Sequence, residues 1–165
     1  MKTVAISSGV KVFLMLMMVC LLAPPAGSAV LPASAGRQYP TSHEGCWETY
    51  YTSMVNNCGG GTTDIEKWLV PINILAFGTY NVRVKVYGQA FTSGPWASCV
   101  AVSADGGFYA VSARDNTSTG LASVQEINLG TIFTGFFNGG ISYTSTYFDC
   151  DVTNGGRVVS VNYWQ

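Results

Sequence analysis

A single histidine, His43, occurs among the 165 residues. Any scheme that needs an imidazole base beside a nucleophile has this one candidate, and it lies in a Pro- and Ser-containing stretch rather than at the end of an apolar strand pattern. Neither a G-x-S-x-G turn nor an H-E-x-x-H pair is present. Charge is also scarce, with eight Lys and Arg against nine Asp and Glu. From Gly36 onward six basic residues face nine acidic ones, a net charge of −3. That balance excludes nucleic acid as a partner, because it offers no counterion-release term, and it leaves no polybasic run for an anionic membrane. No C-x-x-C pair occurs, and His43 stands three residues before Cys46, which is not a zinc spacing. No metal and no cofactor is expected.

Long apolar runs are missing too. The longest is Val12 to Ala23, without a charge, and it falls well short of the roughly 20 residues that cross a hydrocarbon core. Lys2 and Lys11 precede it, Pro24 and Pro25 stop it, and small residues follow at Gly27-Ser28-Ala29 and again at Ala33-Ser34-Ala35. This order reads as a signal peptide over residues 1–29, cleaved after Ala29 or Ala35, so that the mature chain starts at Val30 or Gly36. Cys20 inside the run is not placed like an acylated cysteine. The expected location is secreted, periplasmic or at the cell surface, with no membrane span after cleavage.

Four cysteines remain: Cys46, Cys58, Cys99 and Cys150. An even count in an exported chain reads as two disulfides, and of the three possible pairings the expected one is Cys46 with Cys58 and Cys99 with Cys150.

Gly, Ser, Thr, Tyr, Val and Phe dominate the rest, and no window carries a 3.6-residue apolar period. Period two does appear. Over residues 79–87 it sends Tyr80, Val82, Val84 and Val86 to a core and Asn81, Arg83, Lys85 and Tyr87 to water, with Arg83 and Lys85 read as a small basic spot on a solvated edge. Further strands are expected at 47–55, 65–75, 97–104, 108–113, 122–129, 141–152 and 157–164, punctuated by evenly spaced Gly, Asn and Pro turns. Residues 30–44 read as an extended lead-in and 45–165 as the domain. The expected fold is all-β, an antiparallel β-sandwich of about seven to nine strands with two disulfides.

Asn154-Gly155 suggests a type I′ hairpin in which Cys150 opposes Val159, Phe148 opposes Val161 and Thr146 opposes Tyr163. Its other face would then collect Tyr143, Tyr147, Asp149, Asn162 and Trp164, with Tyr147 opposite Asn162. Flat rings that stack on pyranoses beside amides and carboxylates that bind hydroxyls are the groups a sugar site uses, although such rings could equally be buried under a loop such as 56–64. The leading expectation is a non-enzymatic extracellular binding module with carbohydrate as its partner. The alternatives are a structural protein that contacts another surface protein, and a small hydrolase built on two carboxylates drawn from Asp105, Glu126, Asp149 and Asp151. Asp149 and Asp151 on one strand face offer too few oxygens for calcium. Asn116-Thr117-Ser118 fits the N-glycosylation pattern, in a segment read as an exposed loop.

Overall fold

In the computed structural model, residues 28–39, 45–58, 64–74, 78–91, 94–105, 108–134 and 145–165 are described. They build two antiparallel sheets. The first runs in the order β10 (Ser123–Thr134), β6 (Gly78–Gly88), β12 (Arg157–Trp164), β4 (Ser53–Asn56) and β3 (Trp47–Tyr50), and β1 (Ala29–Pro32) lies along β12 beside β4. The second runs β2 (Arg37–Gln38), β5 (Glu66–Ile72), β11 (Ser145–Val152), β7 (Ala97–Asp105) and β8 (Phe108–Val111), with β9 (Asp115–Asn116) also on β7.

The alternation at 79–87 appears as read: Tyr80, Val82, Val84 and Val86 are buried, while Asn81, Arg83, Lys85 and Tyr87 point outward. Between the sheets these residues meet Ile127, Leu129 and Ile132 of β10, Val158 and Val161 of β12, and Trp68, Val70, Ala101, Phe148 and Val152 of the second sheet. The β-sandwich is therefore closed by one apolar layer contributed by both inner faces. Its described strands number twelve, beyond the seven to nine expected. Residues 47–55 account for part of the excess: they fold back at Tyr51, whose φ of 57° is left-handed, and yield β3 and β4 instead of one strand. Short pieces such as β1, β2 and β9 hold too few residues to show a period.

Residues 29–38 cross from one sheet to the other. β1 pairs with β12, a 3₁₀ turn (Ala33–Ala35) follows, and β2 pairs with β5. Ala33 is fully buried, and its carbonyl accepts the Trp68 indole N–H at 2.8 Å. Trp47 of sheet 1 lies 4.9 Å from Trp68 of sheet 2, centroid to centroid, which seals this end of the core.

The expected hairpin is not formed. β11 lies in sheet 2 between β5 and β7, and β12 lies in sheet 1 between β6 and the β4/β1 edge, so the pairs Cys150–Val159, Phe148–Val161 and Thr146–Tyr163 do not exist. The turn is real, with the Gly156 N–H donating to the Thr153 carbonyl at 2.9 Å, but only Gly155 has a positive φ, 77°. A type I′ turn needs positive φ at both central residues. With Asn154 on the negative side the flanking strands splay, and they enter different sheets.

Both cysteine bridges join neighbours within one sheet. Cys46 and Cys58 close the base of the β3–β4 hairpin, and Cys99 and Cys150 are directly opposed on β7 and β11, with Cα atoms 4.1 Å apart. Asn116 sits on the short strand β9, exposed, rather than in a loop.

Candidate functional site

Separating β11 from β12 separates the expected site. Tyr147 and Asp149 project from the outer face of sheet 2, whereas Asn162 and Trp164 project from the outer face of sheet 1, on the far side of the sandwich. Tyr143 lies outside the described residues. Two outer faces, each with two of the expected residues, replace the single one.

On sheet 2, Tyr147 stands in a row that runs straight across four strands. Val111 pairs with Val102, Val102 with Tyr147, and Tyr147 with Pro71. Paired residues share a face, so the row is an apolar stripe at right angles to the strands. It ends in a cleft of about 610 Å³ lined by Arg37, Tyr39, Leu69, Pro71, Asn73, Ser145 and Tyr147 among others. The cleft opens where β2 stops. β2 pairs only with Trp68 and Leu69, so β5 becomes an edge beyond them, which is where Pro71, lacking an N–H, is tolerated in a strand. Tyr39 continues past β2, its N–H on the Lys67 carbonyl at 3.1 Å, and brings a second ring to the rim. Two phenol rings, a proline, a guanidinium, an amide and a hydroxyl thus border one concavity, a lining suited to a ligand with both apolar faces and hydroxyls.

Beside the row lies a charge network. Lys67 Nζ is 3.3 Å from Asp149 and 3.3 Å from Asp151, Arg114 reaches Asp151 at 2.7 Å, and Lys67 also lies 5.8 Å from the centre of the Tyr39 ring. Burial alone would lower the Lys67 pKa, but the charges of Asp149 and Asp151, with their hydrogen bonds, more than offset it and hold the ammonium above its ordinary value of 10.5. Asp149 and Asp151 are neutralised by cations, not simply hydrated.

On sheet 1, Arg83 stacks on Trp164 at 5.0 Å and pairs with Glu126 at 2.8 Å. Arg157 is held between the rings of Tyr50 and Tyr87, at 4.5 and 4.8 Å. Reading Arg83 and Lys85 as a solvated edge does not hold, since β6 has β10 on one side and β12 on the other.

Of the carboxylates considered for hydrolysis, Glu126 is on the outer face of sheet 1, apart from Asp149 and Asp151 on that of sheet 2, and those two share the Lys67 ammonium. His43 lies outside the described residues. Among the described residues, Cys46, Cys58 and Glu66 place potential metal-ligand atoms within 4.8 Å of one another, but both sulfurs are committed to their disulfide.

Arg37, Tyr39, Pro71, Val102 and Val111 were not expected at a site. Each comes from a different part of the chain than Tyr147, and only long-range pairing assembles them. The one local signal was Pro71 inside an apolar strand run, which marks an edge.

The fold and faces define a two-sheet antiparallel β-sandwich with a partly apolar cleft on one outer face. No family model matches the chain, and no curated protein matches it. Among solved structures it is similar to the GH26-CBM35 β-(1,4)-mannanase of Podospora anserina, with 12% identity and a TM-score of 0.45 over 83% of this chain and 27% of that one. It is similar to the C-terminal CBM6 of LamC, a marine laminarinase from Zobellia galactanivorans, with 13% identity and a TM-score of 0.49 over 84% of this chain and all of that one. A CBM4 structure is similar at 12% identity and a TM-score of 0.36, over 87% of this chain and 85% of that one. The chain thus spans about a quarter of the mannanase's length. No helix among the described residues is long and apolar enough to cross a membrane.

Proposed function

We propose that this chain is an exported, non-enzymatic carbohydrate-binding module that holds a saccharide across the outer face of sheet 2. The observation that carries the reading is the row Val111, Val102, Tyr147 and Pro71, which leads into the cleft rimmed by Tyr39 and Arg37. A pyranose presents C–H bonds on its flat faces and hydroxyls around its rim, so it needs rings below and hydrogen-bonding groups beside it. Tyr147 supplies the central ring, and Arg37, Asn73 and Ser145 supply partners for hydroxyls. Asp149 stands next in line on β11. Export through the N-terminal leader accounts for two disulfides in so small a domain.

Binding is tested by affinity electrophoresis and calorimetry against soluble neutral β-glucan, mannan and xylan. The wild type binds at least one of them, and Tyr147→Ala weakens that binding about tenfold, the loss of roughly 1.4 kcal/mol of contact. Its melting temperature stays within a degree or two of wild type, because a half-buried outward ring contributes little to folding. A variant that binds as tightly as wild type, or a wild type that binds none of the three, overturns the reading. Tyr109 and Val111, 75% and 54% exposed on edge strand β8, favour contact with another protein as a second reading, and it predicts a concentration-dependent dimer that Val111→Lys abolishes.

A further inference from the structure

We propose that the outer face of sheet 1 is a second binding site, distinct from the sheet 2 cleft, and that it takes a carboxylate-bearing polysaccharide with Arg157 as its anchor. Along the seam between β6 and β12, Arg157 is paired with Tyr87, Ser160 with Lys85, Asn162 with Arg83 and Trp164 with Asn81. Successive outward residues of one strand are about 7 Å apart, so Lys85 and Arg83 stand at that spacing on β6, and Arg157, opposite Tyr87 on the neighbouring β12, extends the row of cations. Acidic groups on this face are engaged already: Glu126 with Arg83, and Glu48 with the Asn57 amide.

Arg157 differs from an ordinary surface arginine. Its guanidinium is fixed between the Tyr50 and Tyr87 rings, it forms no ion pair or hydrogen bond among the described residues, and its Nε is buried without a partner. Two ring contacts hold the guanidinium without using its N–H groups, and a planar fork so held can receive a carboxylate through two parallel N–H bonds. Holding the fork in place beforehand removes most of the side-chain entropy that binding would otherwise cost. Lys85 is exposed and without a partner among the described residues, and the Asn162 Oδ1 is an acceptor with none.

A line of cations alternating with Ser160, Asn162 and Asn81 suits a polymer that alternates anions with hydroxyls. An acidic peptide fits less well. β6 and β12 are interior strands whose backbone groups are spent on their neighbours, so no sheet edge is open here to a peptide backbone.

The probes are polygalacturonate and the same polymer fully methyl-esterified, measured by calorimetry at low ionic strength. Wild type binds the free acid and not the ester, and the affinity falls as salt is raised. Arg157→Gln weakens binding about tenfold or more, as expected for a bond between charged groups, and Arg157→Lys does not restore it, because an ammonium lacks the fork. Lys85→Gln, at an exposed position, weakens binding several-fold without touching the fold, so the test survives a poorly folding Arg157 variant. Tyr147→Ala leaves polygalacturonate binding unchanged, which separates failure of this site from failure of the sheet 2 reading. Equal binding of acid and ester, indifference to both Arg157→Gln and Lys85→Gln, or equally tight binding of polyglutamate overturns the proposal.

Discussion

Asn56 joins the point where the chain leaves one sheet for the other. It is fully buried at the end of β4, and its Nδ2 donates to the Val152 carbonyl at 2.7 Å while its Oδ1 accepts the Cys58 N–H at 2.9 Å. Its backbone N–H donates to the Gly156 carbonyl, and its carbonyl accepts the Gly155 N–H. The Gly155 N–H and the Gly156 carbonyl of the Thr153–Gly156 turn are thus spent on Asn56, while the Thr153 N–H is spent on the Trp96 carbonyl. Replacing Asn56 with Ala removes the buried bond to the Val152 carbonyl and the partner of the part-buried Cys58 N–H. At about 1–3 kcal/mol for each orphaned group, stability should fall by roughly 2–4 kcal/mol. Urea denaturation reads this as a lower midpoint with an unchanged slope. Asn57→Ala, one residue on and exposed, should stay within about 0.5 kcal/mol of wild type.

At the scale of elements, what could be read from the sequence depended on whether a segment carries its own signal. β6 was legible in full because five or more alternating residues fix both its faces, and its sheet follows from neither. β11 and β12 were each legible as strands, β11 with its inward residues and β12 with Val161 and Tyr163, whereas a bulge after Val158 puts Val158 rather than Val159 in the core. Which sheet each joins is set by the sign of φ at Asn154 and by Asn56, almost a hundred residues earlier. The cleft was half legible: Tyr147 is on an alternating strand, whereas Arg37 and Tyr39 sit in a stretch without periodicity that is ordered only through pairing with β5. On the proposed export, β1 and the turn after it bear on where the chain would be cleaved. Cleavage after Ala35 would strip away β1 and Ala33, whose carbonyl holds the buried Trp68 indole N–H. Cleavage after Ala29 keeps Val30, Leu31 and Pro32 of β1, and Ala33. Secreted material should therefore begin at Val30 by N-terminal sequencing. A chain made to begin at Gly36 should be less stable by about 1–3 kcal/mol from the orphaned indole alone. An authentic Gly36 terminus with full stability would refute this.

For the whole molecule, the position of the disulfides decides what holds the sandwich shut. Both bridges link adjacent strands of the same sheet, so neither ties sheet 1 to sheet 2, and the inter-sheet contact rests on the apolar layer and on the chain crossings between the sheets, those at 33–35 and 153–156 among them. The bridges act instead on the unfolded chain, by shortening it. On chain entropy the Cys99–Cys150 bridge, with a separation of 51, should contribute about 4 kcal/mol, and the Cys46–Cys58 bridge, with a separation of 12, about 3 kcal/mol. A Cys99→Ala/Cys150→Ala variant should therefore lose more stability than a Cys46→Ala/Cys58→Ala variant, and the small cavity left by two fully buried sulfurs adds to the loss. Because the rest of the apolar layer between the sheets persists when the sulfurs are lost, each variant should still unfold in one cooperative step, with far-UV and tryptophan signals changing together. If loss of the Cys99–Cys150 bridge instead split the transition in two, the sheets would be separable units, and the apolar layer would not be what closes the fold.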